Sequence, residues 1–166
     1  MTVESAIWPG LVRLFNHVEN YISRELHRTH GLGLSEYRAL HHLRQAPHGE
    51  LRMQELADTL GLNQSSVTRL VGRLEHAGLT TREECPNDKR GVFTMLTELG
   101  LRRYDEAHRS YERVLTEAFD DAAVKCGTPD LVDALRRIGR KHLPDTQADD
   151  APLPAPRAAK HPPVAT

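Results

Sequence analysis

Between positions 61 and 79 the chain reads Gly-Leu-Asn-Gln-Ser-Ser-Val-Thr-Arg-Leu-Val-Gly-Arg-Leu-Glu-His-Ala-Gly-Leu. Val67, Leu70, Val71 and Leu74 recur at the spacing of one inward helical face. Gln64, Ser65, Thr68, Arg69, Gly72 and Arg73 fall on the other side, which carries amide, hydroxyl and guanidinium groups and no large apolar residue. Amides and guanidiniums can pair bidentately with base edges in a major groove, and hydroxyls bond phosphates. Asn63 stands where a side chain caps the helix and leaves backbone N–H groups facing a phosphate. An ordinary amphipathic surface helix has the same periodicity, so the flanking elements decide between the two.

The glycine at Gly78 stops this helix. Leu79 to Glu84 and Val92 to Leu96 contain Thr80, Thr81, Phe93 and Thr94, which favour strand. Cys85-Pro86-Asn87-Asp88-Lys89-Arg90-Gly91 between them has turn composition. Two strands and a charged loop directly after the helix make a wing. Asp88 can hold Arg90 through a charge-assisted hydrogen bond, and a held Arg90 suits a narrow A·T-rich minor groove. Upstream, Leu34-Ser35-Glu36 opens a helix with Ser35 as its expected N-cap, and Pro47-His48-Gly49 breaks it. Met53 to Leu60 forms a short helix closed by Gly61, and Gly61-Leu62-Asn63 is the tight turn of a helix-turn-helix.

In this order the chain resembles the MarR family of winged-helix transcription regulators. The likeness is carried by Met53–Gly61, Asn63–Gly78, the D-x-R element Asp88-Lys89-Arg90, and Leu96-Thr97-Glu98-Leu99-Gly100 after the second wing strand. It runs over about residues 5 to 143. The resemblance implies a mainly α winged helix-turn-helix with a small two- to three-stranded β-wing. It also implies sequence-specific binding of a pseudo-palindromic double-stranded DNA as a homodimer, as a ligand-responsive repressor. Asn63, Gln64, Ser65, Ser66, Thr68, Arg69, Arg73, Asp88, Lys89 and Arg90 are the expected DNA-binding residues.

Length agrees with one domain over 1–143, with the winged helix-turn-helix at about 34–96. Flanking helices are expected at about 5–29, 97–125 and 129–142. Ile7, Leu11, Leu14, Val18, Tyr21 or Ile22, and Leu26 stripe the first. Leu101, Tyr104, His108, Tyr111, Leu115, Ala118 and Ala122 form a near-heptad stripe that calls for a helical partner. Leu131, Leu135 and Ile138 stripe the last, which opens at Thr128-Pro129-Asp130. An intramolecular bundle would bury the same stripes; the family resemblance tips the expectation towards dimerisation through these helices. The 23 residues from Pro144 hold six of the ten prolines and are expected to be disordered.

With 39% hydrophobic and 27% charged residues, no apolar run of membrane-spanning length and no signal-peptide layout, a cytoplasmic protein without membrane contact is expected. The net charge of -1 argues against indiscriminate coating of DNA. Positions 61–91 are themselves nearly balanced, with Arg69, Arg73, Arg82, Lys89 and Arg90 set against Glu75, Glu83, Glu84 and Asp88. No nucleophile–base pair or phosphate-binding glycine loop stands out, so an enzyme is not expected, nor is a cofactor.

Sensing leaves less trace. The two cysteines, Cys85 and Cys126, lack zinc spacing, and residues 1–30 contain none where peroxide-sensing relatives place theirs. His41 with His42, and His108 with Glu112, suggest metal ligation. Adjacent helical residues diverge by about 100°, however, and no metal is expected. The usual effector among relatives, a small aromatic or phenolic anion, would sit between the dimer helices and the winged domain. Arg13, His17, Tyr37, His41, His42, Tyr104 and His108 lie on the helices that would line that pocket. Urate-responsive relatives carry an aspartate where Arg38 stands, which disfavours urate. The alternatives are a metal- or redox-responsive regulator of the same fold, or a winged-helix interaction module without DNA binding.

Overall fold

The computed structural model describes residues 2–85 and 88–142, with side chains except at positions 48, 84–85 and 88–91. The elements run α1 (Val3–His30), α2 (Leu34–Gln45), a 3-10 turn (Pro47–Gly49), β1 (Glu50–Arg52), α3 (Met53–Leu60), α4 (Gln64–His76), β2 (Thr80–Cys85), β3 (Asp88–Leu96), α5 (Glu98–Lys125) and α6 (Pro129–His142). The three strands form an antiparallel sheet in the order β1-β3-β2. Glu50 stands opposite Met95, and Thr80 opposite Leu96. This is the winged helix-turn-helix with helical flanks, and residues 143–166, where the disordered tail was expected, lie outside the description.

Local chemistry explains the element ends. Asn63 Oδ1 accepts the Ser66 N–H at 2.9 Å and the Ser65 hydroxyl at 2.8 Å, so the cap of α4 forms as its residue type requires. Gly61, at φ 64°, closes α3 in a conformation that disfavours other residues. The start of α2 corrects the sequence expectation. Its N-cap is Gly33 and not Ser35, because Glu36 folds back and accepts the Gly33 N–H at 2.9 Å. That carboxylate satisfies the N–H of the N-cap itself, and the helix begins one residue before Ser35.

The Leu-Thr-x-x-Gly element joins the sheet to α5. Thr97 Oγ1 accepts the Gly100 N–H at 2.9 Å and donates to the Gly78 carbonyl at 2.7 Å. A Cβ on Gly100 would lie 2.0 Å from the Leu79 carbonyl oxygen, a distance no side chain tolerates. The motif therefore pins α5 against the end of α4.

One apolar cluster unites the chain. Leu14, Val18, Ile22 and Leu26 of α1 pack in it with Leu40 and Leu43 of α2, Leu56 of α3, and Val67, Leu70, Val71 and Leu74 of α4. The α5 stripe finds its helical partner within the same chain. Tyr104, Ala118 and Ala122 are buried, and Leu101, Tyr111 and Leu115 pack partly buried against the core. The apolar residues left outside lie elsewhere. Val3, Ile7, Trp8, Val12 and Phe15 line an exposed face of α1, Ile138 is exposed on α6, and Val124 near the end of α5. No helix among the described residues is long and apolar enough to cross a membrane.

Candidate nucleic-acid interface

The core-facing residues of α4 leave Gln64, Ser65, Thr68, Arg69 and Arg73 exposed, with Ser66 half-buried. Besides Ser65, whose hydroxyl donates to Asn63, two of these side chains already have protein partners. Thr68 Oγ1 donates to the Gln64 carbonyl at 2.7 Å, and Arg73 Nε donates to Glu36 Oε1 at 3.0 Å. Glu36 thus serves two elements at once: one oxygen caps α2 and the other holds the C-terminal half of α4. Arg69 has no partner among the described residues. Arg82 of β2 lies with Nε 3.0 Å from Glu75 Oε2, and its Nη2 donates to the Thr68 carbonyl at 3.3 Å.

These pairings account for two of the five cations in this region. Glu36 neutralises Arg73 and Glu75 neutralises Arg82, leaving Arg69 unpaired among the described residues of the outward α4 face. At the wing, β2 ends at Cys85 and β3 begins at Asp88, so Cys85 and Asp88 to Gly91, expected in the connecting loop, fall within the strands. The side chains of Asp88, Lys89 and Arg90, and the pairing of Asp88 with Arg90, lie outside the described residues.

The residues expected to line an effector pocket divide into two groups. Five of them meet between α2 and α5. Tyr37 stacks on Tyr104 and His108 at 5.9 and 6.4 Å between centroids, and His41 lies 6.0 Å from His108 and 5.5 Å edge-on from His42. Tyr37 Oη and His108 Nδ1 are 2.8 Å apart, and His41 Nδ1 and Tyr104 Oη 2.9 Å. Burial pushes the Tyr37 phenol far up, so it keeps its proton. Burial lowers His41, helped by His42 and His108, and lowers His42, helped by Arg38.

Arg13 and His17 do not join this cluster. His17 Nε2 lies 2.7 Å from Asp121 Oδ2, and Arg13 is exposed on α1 with its carbonyl 3.8 Å from Cys126 Sγ. The residue missed from the cluster is Tyr111, which stacks on Tyr37 at 4.4 Å. Its position three residues after His108 on one helical face was the available signal. Arg38, at the urate-relevant position, pairs with Glu19 of α1. Among the described residues no three His, Cys, Asp or Glu side chains are arranged to hold a metal ion. Cys85, the cysteine of the redox alternative, has its side chain outside the described residues.

Comparison with known proteins agrees with this architecture. The MarR family model matches residues 30–91, from the end of α1 into the wing. MarR family regulators of Streptomyces coelicolor have the same fold. Sco3205, solved in complex with DNA, superimposes with a TM-score of 0.68 at 28% identity, covering 87% of this chain and 91% of its own. AbsC gives 0.68 at 25% identity, covering 85% and 95%.

Over residues 30–91 the chain matches the MarR family.

Among sequence relatives, the HTH-type transcriptional regulator MhqR of Bacillus subtilis is 30% identical over 91 residues. The match takes in 55% of this chain and 61% of MhqR, so the chain spans less than two thirds of that relative. The family match and the geometry coincide where they matter. Residues 30–91 contain Glu36, Asn63, Arg69, Arg73, Glu75 and Arg82, the groups that shape the outward face of α4 and its partners.

Proposed function

We propose that this protein is a MarR-family transcriptional regulator that binds double-stranded DNA as a homodimer and responds to a small aromatic or phenolic anion. The observation that carries DNA binding is the outward face of α4, capped by Asn63, lined by Gln64, Ser65 and Thr68, and bearing one unpaired guanidinium, Arg69. Such a face has the donors and acceptors that discriminate base edges, and the wing strands follow it in the chain. Asp88, Lys89 and Arg90 belong to the proposal through their motif. Arg73 enters it as a group that must leave Glu36 to reach DNA.

Dimerisation is supported by the exposed α1 face. Trp8 is 65% and Phe15 61% exposed, far more than two large aromatic residues one face apart normally leave in water. A second copy covering them with Ile138 would bring two α4 helices to a pseudo-palindrome about one DNA turn, roughly 34 Å, apart. Effector binding is supported by the ring cluster, whose stacked faces and neutral phenol and imidazole donors suit an aromatic anion. Its place between α2 and α5 lets a ligand act on both the winged unit and the flanking helices.

A gel shift with duplex DNA from the region upstream of the protein's own coding sequence tests the function. A retarded complex that survives competition by scrambled DNA is expected. Binding to neither duplex would leave a winged-helix interaction module as the better account.

A further inference from the structure

Between α4 and the wing runs an open cleft of about 310 Å³. Gln64 and Thr68 form one wall, Arg82 and Val92 of the strands form the other, and Arg52 and Gln54 close one end where β1 meets α3. A duplex whose major groove takes α4 and whose adjoining minor groove takes the wing has only one thing between those grooves, a sugar–phosphate strand. That strand must pass along this cleft. We infer that Arg52 and Arg82 form a phosphate clamp that seats the strand in the cleft, so that they set affinity and register without reading sequence. The inference rests on the DNA-binding function proposed above.

The two arginines are held in ways that suit this task. Arg82 uses Nε towards Glu75 and Nη2 towards the Thr68 carbonyl, leaving Nη1 without a partner among the described residues. A guanidinium already fixed by two contacts loses little side-chain freedom when it donates to a phosphate. It also ties β2 to the second turn of α4, so the two walls move together. The Arg52 guanidinium lies over the Phe93 ring, 5.1 Å from its centroid, which keeps a cation beside the cleft at the root of the sheet. Both differ from Arg69, which projects from the outward side of α4 with no partner among the described residues.

The experiment measures affinity of the full-length protein for two duplexes, its own upstream region and a shuffled sequence of equal length, across a series of salt concentrations. Arg52→Gln and Arg82→Gln are each expected to weaken both duplexes by the same factor. Each should also reduce the slope of log K against log salt by about 0.9, the contribution of one phosphate contact. Arg82→Lys, which keeps the charge and loses the fork, should retain the slope and lose affinity. Thermal melting of each variant separates a folding defect from a lost contact, since a folding defect lowers the active fraction without changing the slope. An unchanged slope for Arg52→Gln and Arg82→Gln, or a loss confined to the cognate duplex, overturns the clamp while leaving DNA binding intact. Failure of the unmodified protein to bind either duplex at low salt overturns the regulatory function and the clamp together.

Discussion

Arg69 and Arg73 are one turn apart on α4, yet Glu36 holds the second and no described group holds the first. Replacing Arg69 by Ala should cost about 1–3 kcal/mol on a cognate duplex and relax preference at one base pair per half-site. Equal loss on cognate and scrambled DNA, measured by anisotropy, would make it a phosphate contact instead. Arg73→Ala should have a weaker effect on discrimination, since its charge is already neutralised. At the wing the Asp88–Arg90 motif makes a contrary prediction. Removing the Asp88 carboxylate brings net charge closer to that of a DNA ligand, yet Asp88→Ala should weaken binding because a freed Arg90 loses rotamer entropy on docking. Arg90→Ala should weaken it more, and the double variant should be less damaged than the sum. Tighter binding by Asp88→Ala at fixed salt would show that the pair does no orienting.

The capped helix α4, its tight turn and the wing strands were all legible, because caps, glycine stops and apolar spacing act within a few residues. What escaped was set by groups far apart in the chain. Arg73 reads as a DNA contact until Glu36, 37 residues earlier, is brought beside it. Strand β1 has three residues and no alternation to announce it, and is specified by pairing with Thr94 and its neighbours in β3. The α5 stripe was visible, but whether α1 of the same chain or of another would cover it was not. Gly100 is the element-scale feature with the sharpest consequence. Gly100→Ala should lose about 2–3 kcal/mol in urea denaturation, because the added methyl meets backbone and not a flexible side chain. Gly139→Ala on α6, with nothing within 4 Å of the added methyl, should instead be neutral or slightly stabilising. Similar stabilities for the two variants would show that α5 can slide away from Leu79.

For the whole molecule, the exposed apolar face of α1 predicts assembly. Phe15→Glu and Trp8→Glu should shift sedimentation from dimer to monomer without loss of helical circular dichroism, since neither side chain is buried within its own chain. A wild-type monomer at micromolar concentration would remove that basis for binding a palindrome. The histidines make stability depend on pH. Burial holds His30, His41 and His42 below the ordinary imidazole value of 6.5. The unfolded chain therefore takes up these protons first as pH falls. Their contribution is fully present above 6.5 and drains away as pH drops through 6.5 towards the lower folded values. The melting temperature should fall between pH 7 and pH 5, and His41→Gln should flatten that decline; a flat profile in the native chain would refute it. The internal pairing of Arg73 reaches further, into how such a protein searches a chromosome. Random DNA is an enormous sink, and its grip depends on unpaired cations. A regulator that keeps a recognition-helix guanidinium engaged on its own carboxylate dwells more briefly on irrelevant sequence. More of its copies then stay free in solution, and occupancy of a true site follows protein concentration more directly than it would for a strongly basic regulator.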